Sequence, residues 1–192
     1  MAKLYFRYGV VSSAKTLNLL ATLHNYEKQN KRAILLKPSI DTRSPDVSSR
    51  AGLSHKADII VSPNDDINHI LYPLLDQPVS GILVDEIQFF TPQQIEGFRK
   101  LSVYRDIPIL CYGLRTKSDA TLWPSIITLM ALADSIEEIK TTCMYCDNKA
   151  IFSKAIQQTN EKGIKVSWDA FIPVCAKHFY DEQSSKEKFN DV

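Results

Sequence analysis

Tyr8-Gly9-Val10-Val11-Ser12-Ser13-Ala14-Lys15-Thr16, or YGVVSSAKT, comes within one residue of a phosphate-binding loop. The pattern G-x-x-x-x-G-K-[ST] describes a turn whose backbone N–H groups cradle phosphates at the start of a helix. Gly9, Lys15 and Thr16 stand at the required spacing, and Ala14 occupies the second glycine position. In such a loop Gly9 to Thr16 wrap the phosphates, Lys15 reaches the terminal ones and Thr16 holds Mg²⁺. The glycine position needs close backbone approach and often unusual dihedrals, and alanine is the smallest replacement. Taken alone, the stretch reads equally as a Ser-rich turn capping a helix.

Its surroundings favour a nucleotide-binding α/β layer. Residues 3–8 (KLYFRY) are β-prone, and Leu17, Leu19, Leu20, Ala21, Leu23 and Tyr26 form an apolar face from Lys15 to about Asn30. Further strand-like runs lie at Ala33–Leu36, Ala57–Pro63, Gly81–Val84 and Pro108–Tyr112, the last ended by Gly113. Between them, helices are expected over Asn64–Leu75 with a break at Pro73, from Thr91 (N-cap) and Pro92 onward, and from about Ser125 to Ala133. Strands alternating with helices predict a parallel sheet flanked by helices.

Gly81-Ile82-Leu83-Val84 is apolar throughout and ends in Asp85-Glu86, as a buried parallel strand with acids at its carboxyl end would. Below a phosphate loop, Asp85 reads as the acid that organises Mg²⁺ and Glu86 as a base for an acceptor hydroxyl. Without that loop, both are solvated carboxylates at a strand end.

After Lys140 the texture changes to paired cysteines and short turns, which divides the chain at 1–140 and 141–192. Cys143-x-x-Cys146 and Cys175-x-x-His178 supply three thiolates and an imidazole, the donor set of a closed structural zinc site; the alternative is a set of unpaired thiols. A metal there would fold the tail and hold the intervening loop, residues 147–174. A hairpin is expected in this tail and a frayed end after it. Cys111, in an apolar run, reads as a small buried hydrophobe.

Composition excludes several classes. The 192 residues suffice for one domain with an appendage, 44% are hydrophobic and 23% charged, and no apolar run spans a bilayer. Lys and Arg number 23 against 22 Asp and Glu, so no nucleic-acid-binding surface is expected and phosphate recognition must be local. No secretory h-region opens the chain, which points to the cytoplasm. Asp41 and Arg43 read as a polar clamp or a plain loop. Arg50 and Arg115 read as phosphate partners or surface ion pairs, and His24, His55 and His69 as exposed or helix-face residues.

The order of these motifs, with KPSIDTR (37–43), VDEIQFF (84–90), CYGLRT (111–116) and LADSIEEIKTTC (132–143), resembles the zinc-containing cytosolic thymidine kinase family. The resemblance runs from Lys3 to about Phe179. It implies transfer of the γ-phosphoryl group of ATP to the 5′-hydroxyl of thymidine or deoxyuridine with Mg²⁺, by a chain that assembles as a homotetramer. Glu86 matches the catalytic base, Asp85 the Walker B acid, Lys15 and Thr16 the phosphate-loop lysine and Mg²⁺-binding hydroxyl. Asp41 and Arg43 match the D-x-R pair near metal and phosphates. Gln88, counted with the nucleotide-binding residues, and Phe89 follow the base beside the nucleoside, with Leu114 and Trp123 on the same side. Residues 147–174 resemble a lasso over the thymine base, with Phe171 where a tyrosine is usual. The departures are Ala14, Lys117-Ser118-Asp119 in place of Asp-Phe-Arg, and Val166-Ser167-Trp168 in place of the lasso's Gly-Gly. They leave open two other readings, a non-catalytic nucleotide-binding relative and a kinase for another nucleoside.

Overall fold

The computed structural model describes residues 1–42, 46–156, 159–160, 163–164 and 171–181. Arg43, Val166–Trp168 and almost all of the expected frayed end lie outside the described residues.

Six parallel strands form the centre of the fold: β1 (Leu4–Tyr8), β2 (Ala33–Pro38), β5 (Ile59–Val61), β6 (Gly81–Val84), β7 (Ile109–Gly113) and β8 (Ser135–Glu138), in the spatial order β5-β2-β6-β7-β1-β8. Between β2 and β5 an antiparallel hairpin, β3 (Asp46–Ser48) and β4 (Ser54–Lys56), leaves the sheet. The period-2 alternation of each strand separates two cores. Leu4, Phe6, Ile34, Leu36, Ile82, Val84, Ile109 and Cys111 face one side. There they pack under α3 (Pro92–Tyr104) and α4 (Pro124–Leu132), through Ile95, Phe98, Leu101, Ile126 and Leu129. Leu35, Leu83, Leu110 and Tyr112 face the other, under Leu19, Leu20 and Leu23 of α1 (Lys15–Lys28). The two central strands β6 and β7 are buried and apolar on both faces because both are covered, as parallel sheets require.

Local signals placed most boundaries. Thr91 caps α3 with its hydroxyl accepting from Gln94 N–H at 3.2 Å, while Gln94 Oε1 accepts from Thr91 N–H at 3.0 Å, and Pro92 opens the helix. The expected helix over 64–75 is shorter and split: α2 covers Ile67–Leu71, and a 3₁₀ turn, Tyr72–Asp76, follows as Pro73 interrupts the ladder. Among the strands of the first 140 residues, the β3–β4 hairpin and edge strand β8 had no sequence expectation. Strand β8 is SIEE, apolar only at Ile136, and exists because β1 offers it a partner from Tyr5↔Ser135 to Tyr8↔Glu138.

Past the sheet, β9 (Phe152–Ala155) pairs antiparallel with β12 (Phe171–Val174), which gives the hairpin expected in the tail. Between them the short strands β10 (Thr159–Asn160) and β11 (Gly163–Ile164) pair antiparallel, and α5 (Ala176–Tyr180) follows β12.

Candidate active site and metal centre

Adjacent strands β6, β7 and β1 deliver Asp85-Glu86, Gly113-Leu114 and the Gly9–Thr16 loop to one edge of the sheet, the carboxyl end. That edge is where open α/β sheets bind ligands. Among the described residues, one cavity of about 710 Å³ lies there. Val11, Ser12, Ala14, Lys15 and Thr16 form its phosphate-loop wall, and Glu86, Phe89, Leu114, Trp123 and Phe171 line the rest with the hairpin tip 48–51.

The loop is built as the spacing requires. Gly9 is buried, and a Cβ there would overlap Ser13 Oγ and lie 2.5 Å from the Ile139 carbonyl oxygen, so only glycine fits. Ser12 and Ala14 both take left-handed backbone, with φ 59° and 63°. The second glycine position therefore demands what glycine supplies, and alanine adopts it under strain of about 1 kcal/mol. Ala14→Gly is expected to raise Tm by roughly 2–4 °C, read by thermal denaturation with and without ATP. An unchanged or lower Tm would mean that the surrounding loop has adapted to the alanine. Lys15, buried, donates from Nζ to the Val10 carbonyl at 2.8 Å, and Ser13 N–H donates to the same carbonyl at 3.3 Å.

Thr16 Oγ1 lies 3.3 and 3.4 Å from the two carboxylate oxygens of Asp85, which is itself buried at the end of β6. Glu86, also buried, has φ 49° and ψ 44°, a left-handed conformation uncommon outside glycine, and its carboxylate accepts from Gln88 Nε2. Such strain gathers at functional positions. Phe89 meets Trp123 edge to face, with ring centroids 5.4 Å apart. Asp41 is buried and ion-paired with the equally buried Lys37 at 3.3 Å, just past β2; it does not line the cavity. Gln88 and Asp85 stand behind the cavity wall rather than on it.

The segment where the resemblance breaks is a closed turn. Thr116 bridges to Leu122, Lys117 N–H donates to the Thr121 carbonyl at 2.8 Å, and Ala120 has φ 66°. Asp119 is spent within it, accepting from Thr121 Oγ1 and N–H, which holds its carboxyl below the usual range. Lys117 places Nζ 5.4 Å from the Trp123 ring centroid, and Lys117 and Ser118 line the cavity.

Sequence reasoning named Arg50 without its partner and missed Ser153 altogether. Arg50, at the β3–β4 tip, lines the cavity and donates to Ser12 Oγ at 2.9 Å; its signal was present but its partner is 38 positions away. Ser153 on β9 accepts from Val11 N–H at 3.1 Å, joining the tail to the phosphate loop, and nothing local marks it. Arg115 lies over the Tyr8 ring at 5.4 Å rather than in the large cavity. His55 meets Glu27 at 3.1 Å, while His24 and His69 are exposed.

In the tail, Cys143, Cys146, Cys175 and His178 bring their donor atoms within 4.8 Å of one another. Cys146 and Cys175 sulfurs are 3.8 Å apart, and His178 Nδ1 is 3.3, 3.6 and 3.3 Å from Cys143, Cys146 and Cys175. Zn–S of about 2.3 Å and Zn–N of about 2.0 Å at tetrahedral angles separate sulfurs by roughly 3.8 Å and sulfur from nitrogen by roughly 3.5 Å. The group fits zinc. Burial works against ionisation of the Cys143 thiol, but hydrogen bonds from the Cys175 and Tyr145 backbone and from His178 and Cys146 prevail, lowering it to about 6. Cys111, by contrast, is buried in the sheet, which pushes its thiol up, and it plays no part in the site.

No helix among the described residues is long and apolar enough to cross a membrane. Residues 2–179 match the thymidine kinase family. The chain is 33% identical over 190 residues to a protein named thymidine kinase from Streptococcus pyogenes serotype M3, covering 95% of this chain and 100% of the relative. It is 33% identical over 189 residues to one from Streptococcus agalactiae serotype Ia, covering 94% and 98%. A phosphate loop opposite an acidic strand end, a Cys₃His cluster and this full-length similarity lead to one assignment: the chain belongs to the thymidine kinase family.

Proposed function

We propose that this protein transfers the γ-phosphoryl group of ATP to the 5′-hydroxyl of thymidine. The observation that carries the reading is that Glu86 opens onto the same cavity as Lys15 and Thr16. The Glu86 carboxylate takes the proton of the 5′-hydroxyl, and that oxygen bonds to the γ-phosphorus. The bond from phosphorus to the β–γ bridging oxygen breaks, releasing ADP and thymidine 5′-phosphate. Lys15 leaves the Val10 carbonyl for the phosphates, loop N–H groups other than those of Val11 and Ser13 hold them, and the family resemblance assigns Asp41 and Arg43 to the metal and phosphates. Thr16 hydroxyl and Asp85 carboxylate are hard oxygen donors suited to Mg²⁺, which neutralises charge on the phosphates when bound. Phe89, Leu114, Trp123 and Phe171 enclose the base, with Gln88 supporting them from behind.

Zinc on Cys143, Cys146, Cys175 and His178 has no open position and serves to hold the 141–192 module, with its 147–174 loop, against the 1–140 nucleotide-binding unit. Retention of Lys15, Thr16, Asp85 and Glu86 favours an active kinase over a catalytically impaired relative. The chain works in the cytoplasm as a homotetramer, as the family resemblance implies, and the exposed Ile127 and Met130 of α4 and Ile136 of edge strand β8 offer apolar surface for self-association.

Purified protein with ATP and Mg²⁺ should phosphorylate thymidine in preference to purine nucleosides and deoxycytidine, read by product chromatography. If ATP binds but no nucleoside is turned over, the kinase reading fails; if another nucleoside is preferred, the substrate is reassigned to it.

A further inference from the structure

Gln88 is 2% exposed, and its side-chain amide has two partners of opposite polarity. Its Nε2 donates to Glu86 Oε2 at 2.5 Å, and its Oε1 accepts from Leu114 N–H at 2.9 Å. A backbone N–H can only donate, so Leu114 fixes the amide orientation and obliges the NH₂ group to face Glu86. The backbone is held too: the fully buried Ser125, at the start of α4, donates its hydroxyl to the Gln88 carbonyl at 2.9 Å. Gly113 makes room for the arrangement, since a Cβ there would overlap Gln88 Oε1 and lie 2.8 Å from Ile87 Cγ2. Strand β7 and helix α4 thus brace one amide against one carboxylate.

We infer that Gln88 is a positioning residue that aims the Glu86 carboxylate into the cavity and ties it to Leu114 in the nucleoside wall. The inference rests on the reading of Glu86 as the base. Glu86 carries left-handed backbone and stands just past the end of β6, so its side-chain direction depends on what its oxygens bond. Gln88 itself lies outside the cavity lining, so it acts through Glu86 rather than on the substrate.

Gln88→Met keeps length and bulk while removing both amide bonds. Gln88→Glu keeps an oxygen acceptor for Leu114 N–H but sets a carboxyl oxygen against Glu86. Both are expected to lower kcat by about a hundredfold, the scale of a misplaced reacting group, with KM for thymidine and ATP changed by no more than roughly twofold. In a Glu86→Ala background, Gln88→Met should cause no further loss, because the two residues act as one unit. Steady-state kinetics on variants with intact circular dichroism reads all of this. Undiminished kcat in the Gln88 variants, with activity lost in Glu86→Ala, would overturn the positioning role alone. So would a Gln88→Met loss that repeats in the Glu86→Ala background, or one that falls on KM. Full activity in Glu86→Ala would overturn the base assignment itself.

Discussion

Glu86→Gln is expected to lower kcat by about 10²–10⁴-fold, the range a positioned general base supplies, with KM for ATP nearly unchanged. The substitution keeps the shape of the side chain and its left-handed backbone, so it removes little except the ability to take a proton. Glu86 is buried at the end of an apolar strand and opens onto the cavity that also holds Lys15 and Thr16. Nothing in the packing of the sheet requires an acid there: Ile87 beside it is wholly buried and belongs to the core, whereas Glu86 belongs to no core cluster. Steady-state kinetics with thymidine and ATP, alongside thermal melts, makes the measurement. A kcat within tenfold of the parent at equal stability would show that the proton leaves by another route.

Removing zinc is expected to unfold the tail, and with it to weaken ATP binding. Among the described residues, the tail's own core has four buried members, Cys143, Ile172, Val174 and Cys175, and two of these belong to the Cys₃His group. So small a cluster cannot hold β9 against β12 alone, and structural zinc supplies on the order of 10–16 kcal/mol of apparent binding energy to modules of this kind. The coupling to ATP is specific: Ser153 on β9 accepts from Val11 N–H in the phosphate loop, and Phe171 on β12 lines the cavity. Elemental analysis should find one zinc per chain. Cys146→Ser or strong chelation should open residues 141–181 to protease first and raise the Kd for ATP, while the sheet melts later. Protein without zinc, or a chelated chain whose tail resists protease as before, would refute the assignment.

The layer architecture was legible because parallel strands covered on both faces must be apolar throughout, and GILV and ILCYG are. The phosphate loop was legible because its glycine and lysine positions are set by local geometry, and the structure adds that Ala14 takes the conformation reserved for the glycine it replaces. The metal centre was legible because two short ligand spacings reveal their chemistry without reference to the fold, and the donor atoms do converge. The β3–β4 hairpin and β8 were not legible, since SHK and SIEE become strands only when a partner edge is present.

The site divides the same way. Lys15, Thr16, Asp85, Glu86 and the Cys₃His group could be singled out from spacing as candidates, because each lies within a few residues of the signal that marks it. Arg50 reaching Ser12, Ser153 reaching Val11 and Gln88 bridging Glu86 to Leu114 could not. The first two span 38 and 142 positions, and the bridge closes across 26. The sequence by itself therefore determined which chemistry the chain carries, since that depends on residue type at short range. Only the tertiary structure decided what aims and supports that chemistry, because hydrogen bonds between distant segments form when packing of the sheet edge brings them within 3 Å or so, and no local pattern records that meeting.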